Sequence, residues 1–460
     1  MMAQDFSVSG QRVLVVGAAR SGVAAAALLA RRGARVTLTD RKDAIAEAPA
    51  LIEAGVVLEL GGHHIGSFEG ADLVVTSPGV PLDLPEVARA RAAGVPVVGE
   101  LELASRWLRG PLVAITGTKG KSTTTTLVGR MLEAAGRRVL VGGNIGVPLS
   151  AQVDDSTADT VHIVEASSFQ LEATDRFHPW IAALLNVSAD HLDRHPTVEA
   201  YAAAKARVFA NQTGADWTVV NAESPEAVRL AAASRAAQVR YGVDPSARAV
   251  AFYTDRGCLW HRTSEGEVPL VPLSAVRVPG RHLLSNVVAA TAISTLAGAQ
   301  GAAIAQALEG FAGLEHVMEP VATVGGVRFV NDSKATNVDA AARSIESFPS
   351  VVAIVGGRFK GGNLADLAAP LARHGRAVVA IGDARPLVRE ALEATVPVVE
   401  AASMADAVRL AWTLARPDGI VLLAPACASF DMFVDYADRG RRFKEEVRRL
   451  ADEADATGKQ

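Results

Sequence analysis

Cysteine is almost missing from this chain. Cys258 and Cys427 are the two thiols in 460 residues, too few for a disulfide framework and in keeping with a reducing, cytoplasmic setting. Charge of one sign is also lacking: 46 Lys and Arg stand against 50 Asp and Glu, a net −4. That balance removes the electrostatic footprint of a nucleic-acid-binding or anionic-membrane protein. No window approaches about 18 uninterrupted apolar residues, so no transmembrane helix is expected. The polar stretch Met1–Gly10 carries no basic region followed by an apolar one, so no signal peptide is expected there. Internal repeats and low-complexity tracts do not stand out.

What the chain does have is alternation. Short β-branched runs follow Ala-rich helical stretches from end to end, the pattern of parallel sheets covered by helices on both faces. The length predicts about three domains, and three nucleotide-fold beginnings set their places. The expected architecture is α/β: an N-terminal Rossmann-like domain (1–108), a central phosphate-loop domain (109–314) and a C-terminal Rossmann-like domain (315–460). Each is expected to hold a mostly parallel sheet with flanking helices.

The first beginning is Arg12-Val-Leu-Val-Val-Gly17, a turn through Arg20 and Ser21 to Gly22, and a helix over Val23–Arg32. The strand Ala34–Asp40 follows. An acidic residue about twenty positions beyond a Gly-rich turn is a dinucleotide-type layout. Ala19, however, stands where the middle glycine would let backbone approach a pyrophosphate, so a nucleotide-containing ligand other than NAD is favoured. Asp72-Leu-Val-Val-Thr-Ser-Pro-Gly79 is a further strand, and it brings Ser77, Pro78 and Gly79 to the carboxyl edge where such sheets bind ligands.

The third beginning follows a break near Gly313, with strands expected at Val327–Asn331, Val351–Gly356, Ala377–Gly382 and Gly419–Leu423 and helices between them. The second beginning is sharper. Leu112-Val-Ala-Ile-Thr-Gly-Thr-Lys-Gly-Lys-Ser-Thr123 is an apolar run, a Gly-rich turn and a helix start. Backbone N–H groups at such a turn can cradle phosphates without Cβ collisions. Gly117, Thr118, Lys119, Gly120, Lys121, Ser122 and Thr123 are therefore candidate ATP contacts, with Lys121 on the β/γ-phosphates and Ser122 on Mg²⁺. The loop is a shortened form, with Ile115 where the common pattern has its first glycine. The strand His162–Glu165 ends in a carboxylate suited to Mg²⁺, a hard cation that takes one or two protein carboxylates. Ser167 and Ser168 fit helix N-caps equally well. On pattern alone His191 is a loop histidine among aspartates, Lys205 a snorkelling lysine in a helix over Val198–Ala210, and Cys427 a small buried residue.

Several segments together resemble one family. Gly142-Gly-Asn-Ile-Gly146, Glu165-Ala-Ser-Ser-Phe-Gln-Leu-Glu172, Asn186-Val-Ser-Ala-Asp-His-Leu-Asp193 and Tyr201-Ala-Ala-Ala-Lys205 join the phosphate loop in order. They resemble the ATP-dependent Mur ligases, the amino-acid-adding enzymes of peptidoglycan precursor synthesis. Asn331-Asp-Ser-Lys-Ala-Thr-Asn337 and Ala424-Pro-Ala-Cys-Ala-Ser-Phe-Asp431 are similar to the D-glutamate-adding branch. The resemblance implies a ligase that joins D-glutamate to UDP-N-acetylmuramoyl-L-alanine through an acyl phosphate. It also implies two Mg²⁺ ions held by Ser122, Glu165, His191 and Lys205, the lysine carrying CO₂ as a carbamate.

Further roles come from the same resemblance. Asn286, His316 and Asp332 would meet the adenosine. Arg20, Ser21, Asp40, Arg41, Ser77, Pro78, Gly79, Asn144, Ser167, Gln170 and His191 would hold the UDP-sugar. Lys334, Thr336, Lys360, Ser429, Phe430 and Tyr436 would receive the acceptor amino acid, whose two carboxylates suit lysines and hydroxyls. Two positions depart from the family: Leu283 where Asn is frequent, and Val317 where Arg is frequent. A cytoplasmic monomer with no nucleic-acid partner and no membrane insertion is expected. The rivals are a sibling ligase with another acceptor (folate polyglutamylation included), a small-molecule kinase and a non-catalytic nucleotide-binding regulator.

Overall fold

The structure is a computed structural model that describes residues 6–192, 194–246, 250–276, 280–311 and 313–457. Asp193, at the end of one quoted segment, lies outside the described residues. Among those described, three sheets carry the three α/β domains. By contacts the chain gathers into two compact units. The first is Met1–Val187, Arg194–Ala275 and Asn286–Leu308; the second is Ser188–Asp193, Val276–Ser285 and Glu309–Gln460.

The first unit holds two of the sheets. One has five parallel strands in the order Val57–Leu60, Arg35–Asp40, Arg12–Val16, Leu73–Thr76, Val97–Gly99. Its centre reads as unbroken apolar runs because helices cover both faces. Val13 to Val16 are all buried, as are Leu73 to Thr76. The helix after the first strand begins at Arg20 rather than Val23 and runs Arg20–Arg31.

The other sheet has nine strands in the order Gly266–Pro272, Cys258–Thr263, Phe252–Asp255, Ala237–Tyr241, Trp217–Asn221, Ile181–Leu184, Leu112–Thr116, Val161–Glu165, Val139–Gly143. Strands from Phe252–Asp255 to Val139–Gly143 are parallel. The remaining two add antiparallel hairpins. In the first hairpin Arg256 and Gly257 both take positive φ (46° and 72°), the twist a two-residue turn needs to match its strands. The helix expected over Val198–Ala210 is α-helical over Val198–Ala206 and tightens to a 3₁₀ turn over Arg207–Phe209.

The second unit is built on six strands in the order Glu319–Val324, Val327–Asn331, Ile420–Leu423, Val351–Gly356, Gly375–Ile381, Val398–Glu400. The first pair is antiparallel and the rest parallel. Val351 to Gly356 are buried throughout. Leu283 sits in the core under this sheet with Val317 packed against it, so the two departures from the family pattern are filled by apolar packing. Both cysteines are free, Cys258 half-buried and Cys427 buried; burial pushes the Cys427 thiol up to about 12.

Candidate functional site

The strand Leu112–Thr116 ends at the sheet's carboxyl edge and, after four intervening residues, the helix Lys121–Ala134 starts. Between them Gly117 has φ 151° and Gly120 φ 82°, conformations that only glycine adopts without strain. A Cβ on Gly120 would lie 2.2 Å from Asn286 Oδ1, so the space that glycine leaves is where the Asn286 carboxamide rests. Two expected nucleotide contacts are thereby brought together.

Inside the loop the amine of Lys121 donates to the carbonyls of Gly117 (2.9 Å) and Thr118 (3.0 Å). Lys205, 1% exposed, donates to the same Gly117 carbonyl at 2.8 Å. Its amine also lies 4.4 Å from the Tyr201 ring centre. The amine is thus out of solvent, where its helical spacing alone suggested a snorkelling side chain. Tyr201 in turn donates its hydroxyl to Thr118 Oγ1 at 3.2 Å.

Asn186 does more than the sequence revealed. Its Oδ1 accepts from Lys119 N–H (2.9 Å), its Nδ2 donates to Lys119 O (3.1 Å), and its backbone carbonyl accepts from Thr118 N–H (3.0 Å). It fixes the loop in shape before any phosphate arrives. The signal was present in a quoted segment, but the pairing is tertiary and no spacing rule exposes it.

Glu165 ends its strand beside this loop, in register with Ile115, and is 1% exposed. Oε1 accepts from Asn144 Nδ2 at 2.7 Å. Oε2 is buried with no hydrogen-bond partner, a costly state unless a cation or donor occupies the position. A hard-oxygen ligand of this kind fits Mg²⁺. Ser122 stands on the first turn of the loop's helix.

The expected donor residues divide by what already occupies them. Asp40 accepts from Ala18 N–H (2.5 Å) and Lys42 N–H (2.9 Å). Burial alone would raise its carboxyl, but those two N–H groups and the Lys42 charge hold it below the ordinary value. Its carboxylate therefore shapes the turn of the first sheet. Ser77 Oγ donates to Gly17 O at 2.8 Å, and the Arg20 guanidinium reaches the Gly146 carbonyl. Ser167 and Gln170 cap each other reciprocally at the start of the helix Ser168–Leu171, the local alternative anticipated for Ser167. Ser21 lies in the first turn of the helix Arg20–Arg31, Arg41 directly follows the strand Arg35–Asp40, and Pro78 and Gly79 follow Ser77 after the strand Leu73–Thr76.

The second unit holds the other candidates. His316, at φ 64°, takes a hydrogen bond at Nδ1 from Asn331 Nδ2 (2.9 Å). Burial lowers its pKa despite the nearby Glu315 and Glu319. Asp332 Oδ1 accepts from Met318 N–H (3.2 Å) and Oδ2 from the Ser344 hydroxyl. The Lys334 N–H donates to His316 O at 3.1 Å, joining the expected ribose residues to the expected acceptor loop. Lys334 Nζ lies 5.9 Å from the Tyr436 ring centre. Ser429 is 1% exposed and its Oγ has no partner, whereas Phe430 is 63% exposed. Thr336 follows Lys334 in the loop after Val327–Asn331, and Lys360 lies in the loop after Val351–Gly356. His191 belongs to the short segment grouped with this unit. It has φ 54°, and its N–H donates to Asp190 Oδ1 at 3.0 Å. Asp190 Oδ2 accepts from Asn337 Nδ2 at 2.8 Å.

Together, a phosphate-loop helix start, a buried carboxylate with an open oxygen and a buried lysine hydrogen-bonded to the loop define an α/β protein of the phosphate-loop class. The family follows from comparison. The Mur ligase MurD-like N-terminal domain matches residues 11–99, the Mur ligase middle domain 115–294 and the Mur ligase glutamate ligase domain 318–427. The chain belongs to the Mur ligase family.

It is 46% identical over 445 residues to the UDP-N-acetylmuramoylalanine--D-glutamate ligase of Acidobacterium capsulatum, covering 96% of each chain. To the protein of that name from Anaeromyxobacter dehalogenans it is 47% identical over 460 residues, covering 97% of this chain and 98% of that one. Among solved structures, a pseudomurein peptide ligase type C from Methanothermus fervidus shares the fold with TM-score 0.62 at 16% identity, over 96% of this chain and 100% of that one. The UDP-N-acetylmuramate-alanine ligase of Thermotoga maritima does so with TM-score 0.59 at 19% identity, over 95% and 99%. No described helix is long and apolar enough to cross a membrane.

Proposed function

We propose that this protein is the ATP-dependent ligase that adds D-glutamate to UDP-N-acetylmuramoyl-L-alanine in peptidoglycan precursor synthesis. The observation that carries the reading is the end-to-end match, at 46% and 47% identity, to two proteins bearing that ligase's name. We assign the UDP-sugar to residues 1–108, ATP to 109–314 and the acceptor to 315–460, and the reaction to a cytoplasmic monomer without nucleic-acid or membrane partners.

In the first step the L-alanyl carboxylate attacks the γ-phosphorus of ATP; the bond to the β-phosphate oxygen breaks and ADP leaves. In the second the D-glutamate amine, having lost a proton, attacks the acyl carbon and inorganic phosphate departs. An anionic nucleophile must approach an anionic phosphoryl group, so catalysis is chiefly charge neutralisation and alignment. Lys121 exchanges the Gly117 and Thr118 carbonyls for phosphate oxygens. Asn186 keeps the loop's N–H groups convergent, and Asn286 meets the nucleotide from beside Gly120. His316 and Asp332 serve the ribose.

The open Oε2 of Glu165 and the Ser122 hydroxyl suit one Mg²⁺, with His191 and a carbamate on Lys205 for a second. When bound, these ions spread the negative charge of the triphosphate. The carbamate arises when the neutral Lys205 amine adds to CO₂ and releases a proton, turning a donor to Gly117 O into an anion. Arg20, Ser21, Asp40, Arg41, Ser77, Pro78, Gly79, Asn144, Ser167, Gln170 and His191 line the donor's path. Asp40, Ser167 and Gln170 act there by shaping backbone. Lys334 and Lys360 pair with the acceptor's carboxylates, helped by Thr336, the open Ser429 hydroxyl, Phe430 and Tyr436.

The test is ADP release with ATP, Mg²⁺ and UDP-N-acetylmuramoyl-L-alanine, comparing D-glutamate with L-glutamate, L-alanine and a diamino acid. Turnover confined to D-glutamate is expected. Turnover with another acceptor would keep the ligase and discard the acceptor assignment, and ADP release with none would favour a kinase.

A further inference from the structure

Arg439 is among the largest fully buried side chains, at 0% exposure. It lies in the first turn of the long helix Tyr436–Thr457. A buried guanidinium normally has a carboxylate partner, because an unpaired interior charge is costly. Here it has none within ion-pairing distance among the described residues. Its partners are neutral: Nε donates to Ser333 Oγ (2.9 Å), one terminal nitrogen to Cys427 O (3.1 Å) and the other to Ser333 O (2.8 Å).

Those partners belong to two different loops. Ser333 precedes Lys334 and Thr336; Cys427 precedes Ser429 and Phe430. The third loop, which carries Lys360, comes close as well: a Cβ on Gly357 would lie 3.3 Å from an Arg439 terminal nitrogen. The loops are stitched to one another around this point. Ala426 N–H donates to Ala335 O (2.9 Å), and Arg358 and Ala428 exchange two backbone hydrogen bonds at 2.9 Å each. Ser333 Oγ also donates to Tyr436 O at 2.7 Å. Two buried oxygens in the same loops are without partners, Ser429 Oγ and Asp431 Oδ1.

A purely structural plug at this depth would be cheaper as an apolar side chain. A planar fork satisfies two carbonyls and a hydroxyl at fixed angles, which a flexible ammonium does not. Its charge adds positive potential beneath the loops where an anion is to bind, offset in part by the nearby Asp431 carboxylate. Burial lowers the Arg439 pKa to about 10, so the group stays charged under assay conditions.

We infer that Arg439 is a positioning residue for the acceptor amino acid: its buried guanidinium holds the loops bearing Lys334, Thr336, Lys360 and Ser429 in the arrangement that receives a dicarboxylate. The inference rests on the reading of this loop cluster as the acceptor site.

The experiment is steady-state kinetics on the full chain, with KM for D-glutamate, ATP and the sugar nucleotide measured separately for Arg439→Lys, Arg439→Met and Ser333→Ala. Arg439→Met is expected to raise KM for D-glutamate about 10- to 100-fold, the equivalent of one or two charge-assisted hydrogen bonds. KM for ATP and for the sugar nucleotide should stay within about two-fold. Arg439→Lys keeps the charge and loses the fork, and should fall between Met and the parent. Ser333→Ala removes one of the three acceptors and should shift the same constant, less strongly. Thermal melting separates misfolding from mispositioning; should Arg439→Met fail to fold, the other two variants decide. An unchanged KM for D-glutamate in the folded variants, or an equal rise in all three constants, would overturn the proposal. Absence of D-glutamate turnover in the unaltered protein would instead refute the functional reading, a result visible before any variant is made.

Discussion

Replacing Glu102 with alanine should loosen the first unit more than any change to an exposed charge. Glu102 sits on the helix Glu100–Ser105 and is fully buried. One carboxylate oxygen accepts from three consecutive backbone N–H groups, Asp175 (2.9 Å), Arg176 (3.0 Å) and Phe177 (2.9 Å). The other accepts from Arg106 Nε at 2.8 Å. The helix that follows the first sheet is thereby tied to the segment leading into the strand Ile181–Leu184 of the second. Alanine leaves those donors without an acceptor, and each stranded buried donor costs about 1–3 kcal/mol. The costs do not add fully, because the loop can relax toward water, so the expected loss is about 3–5 kcal/mol, the range for breaking a buried charged contact. Glutamine retains one acceptor oxygen for the three N–H groups and forfeits the Arg106 contact, so about 1–2 kcal/mol is expected. Two compact units make global unfolding a poor two-state process. Hydrogen exchange resolved to residues 175–177 is the sharper assay, since every 1.4 kcal/mol is a factor of ten. Those amides should exchange about 10²- to 10³-fold faster in Glu102→Ala and only about ten-fold faster in Glu102→Gln. Less than about a three-fold change in the alanine variant, or equal effects of the two substitutions, would refute the accounting.

Three other perturbations are informative. Lys205→Ala should lose turnover and regain part of it with small carboxylates, which can supply the missing oxygens; full activity of the unsupplemented variant would end the carbamate reading. Gly120→Ala must hold φ 82° with a Cβ driven into Asn286 Oδ1, a left-handed strain of about 1–2 kcal/mol before the collision is counted. KM for ATP should rise about ten-fold or more with KM for the sugar nucleotide unmoved, and an unchanged KM for ATP would contradict the assignment of Asn286. His162, buried with Nε2 against Ser156 Oγ at 2.8 Å, has its pKa lowered by burial from 6.5 to about 4. Between those values the unfolded chain binds the proton and the folded one does not, so stability is lost as pH falls through that window. His162→Gln should flatten this loss by up to about 3 kcal/mol at pH 4. Denaturation curves for parent and variant that stay parallel from pH 7 to 4 would show that another group controls it.

The parallel strands were legible in the sequence for a physical reason. A strand covered on both faces must be apolar at successive positions, so Val13–Val16 and Val351–Gly356 stand out as runs. The helix start at Arg20 was misplaced by three residues because its N-cap, Ala19, offers no capping side chain and so leaves no mark. The antiparallel hairpins over Phe252–Pro272 were missed altogether. Their strands face water on one side and interleave Arg262 and Glu267, which pair at 2.9 Å, with apolar residues, and Arg256-Gly257 is a weaker turn signal than Asn-Gly. Glu319–Val324 escaped for the same reason, being an edge strand closed by Gly325-Gly326.

The site was legible to the extent that its chemistry is local. A phosphate loop must place glycines, a lysine and a hydroxyl within a few consecutive residues, because the backbone itself is the cradle; such a site writes itself into a short string. The Ser167–Gln170 capping box is local too, and its geometry follows from a three-residue spacing. Lys205, Asn186, Tyr201 and Arg439 are different. Each acts by crossing to a segment distant in sequence: Lys205 to Gly117, Tyr201 to Thr118, Asn186 to Lys119, Arg439 to Ser333 and Cys427. In isolation a lysine in a helix and an arginine in a helix look like solvated charges, and only the fold shows that both are buried. Burial is what sets them apart: it holds the Lys205 amine against the Gly117 carbonyl and the Arg439 guanidinium against the carbonyls of Ser333 and Cys427. The residues hardest to read from the string are therefore the ones whose contacts form only once the fold has taken them out of water.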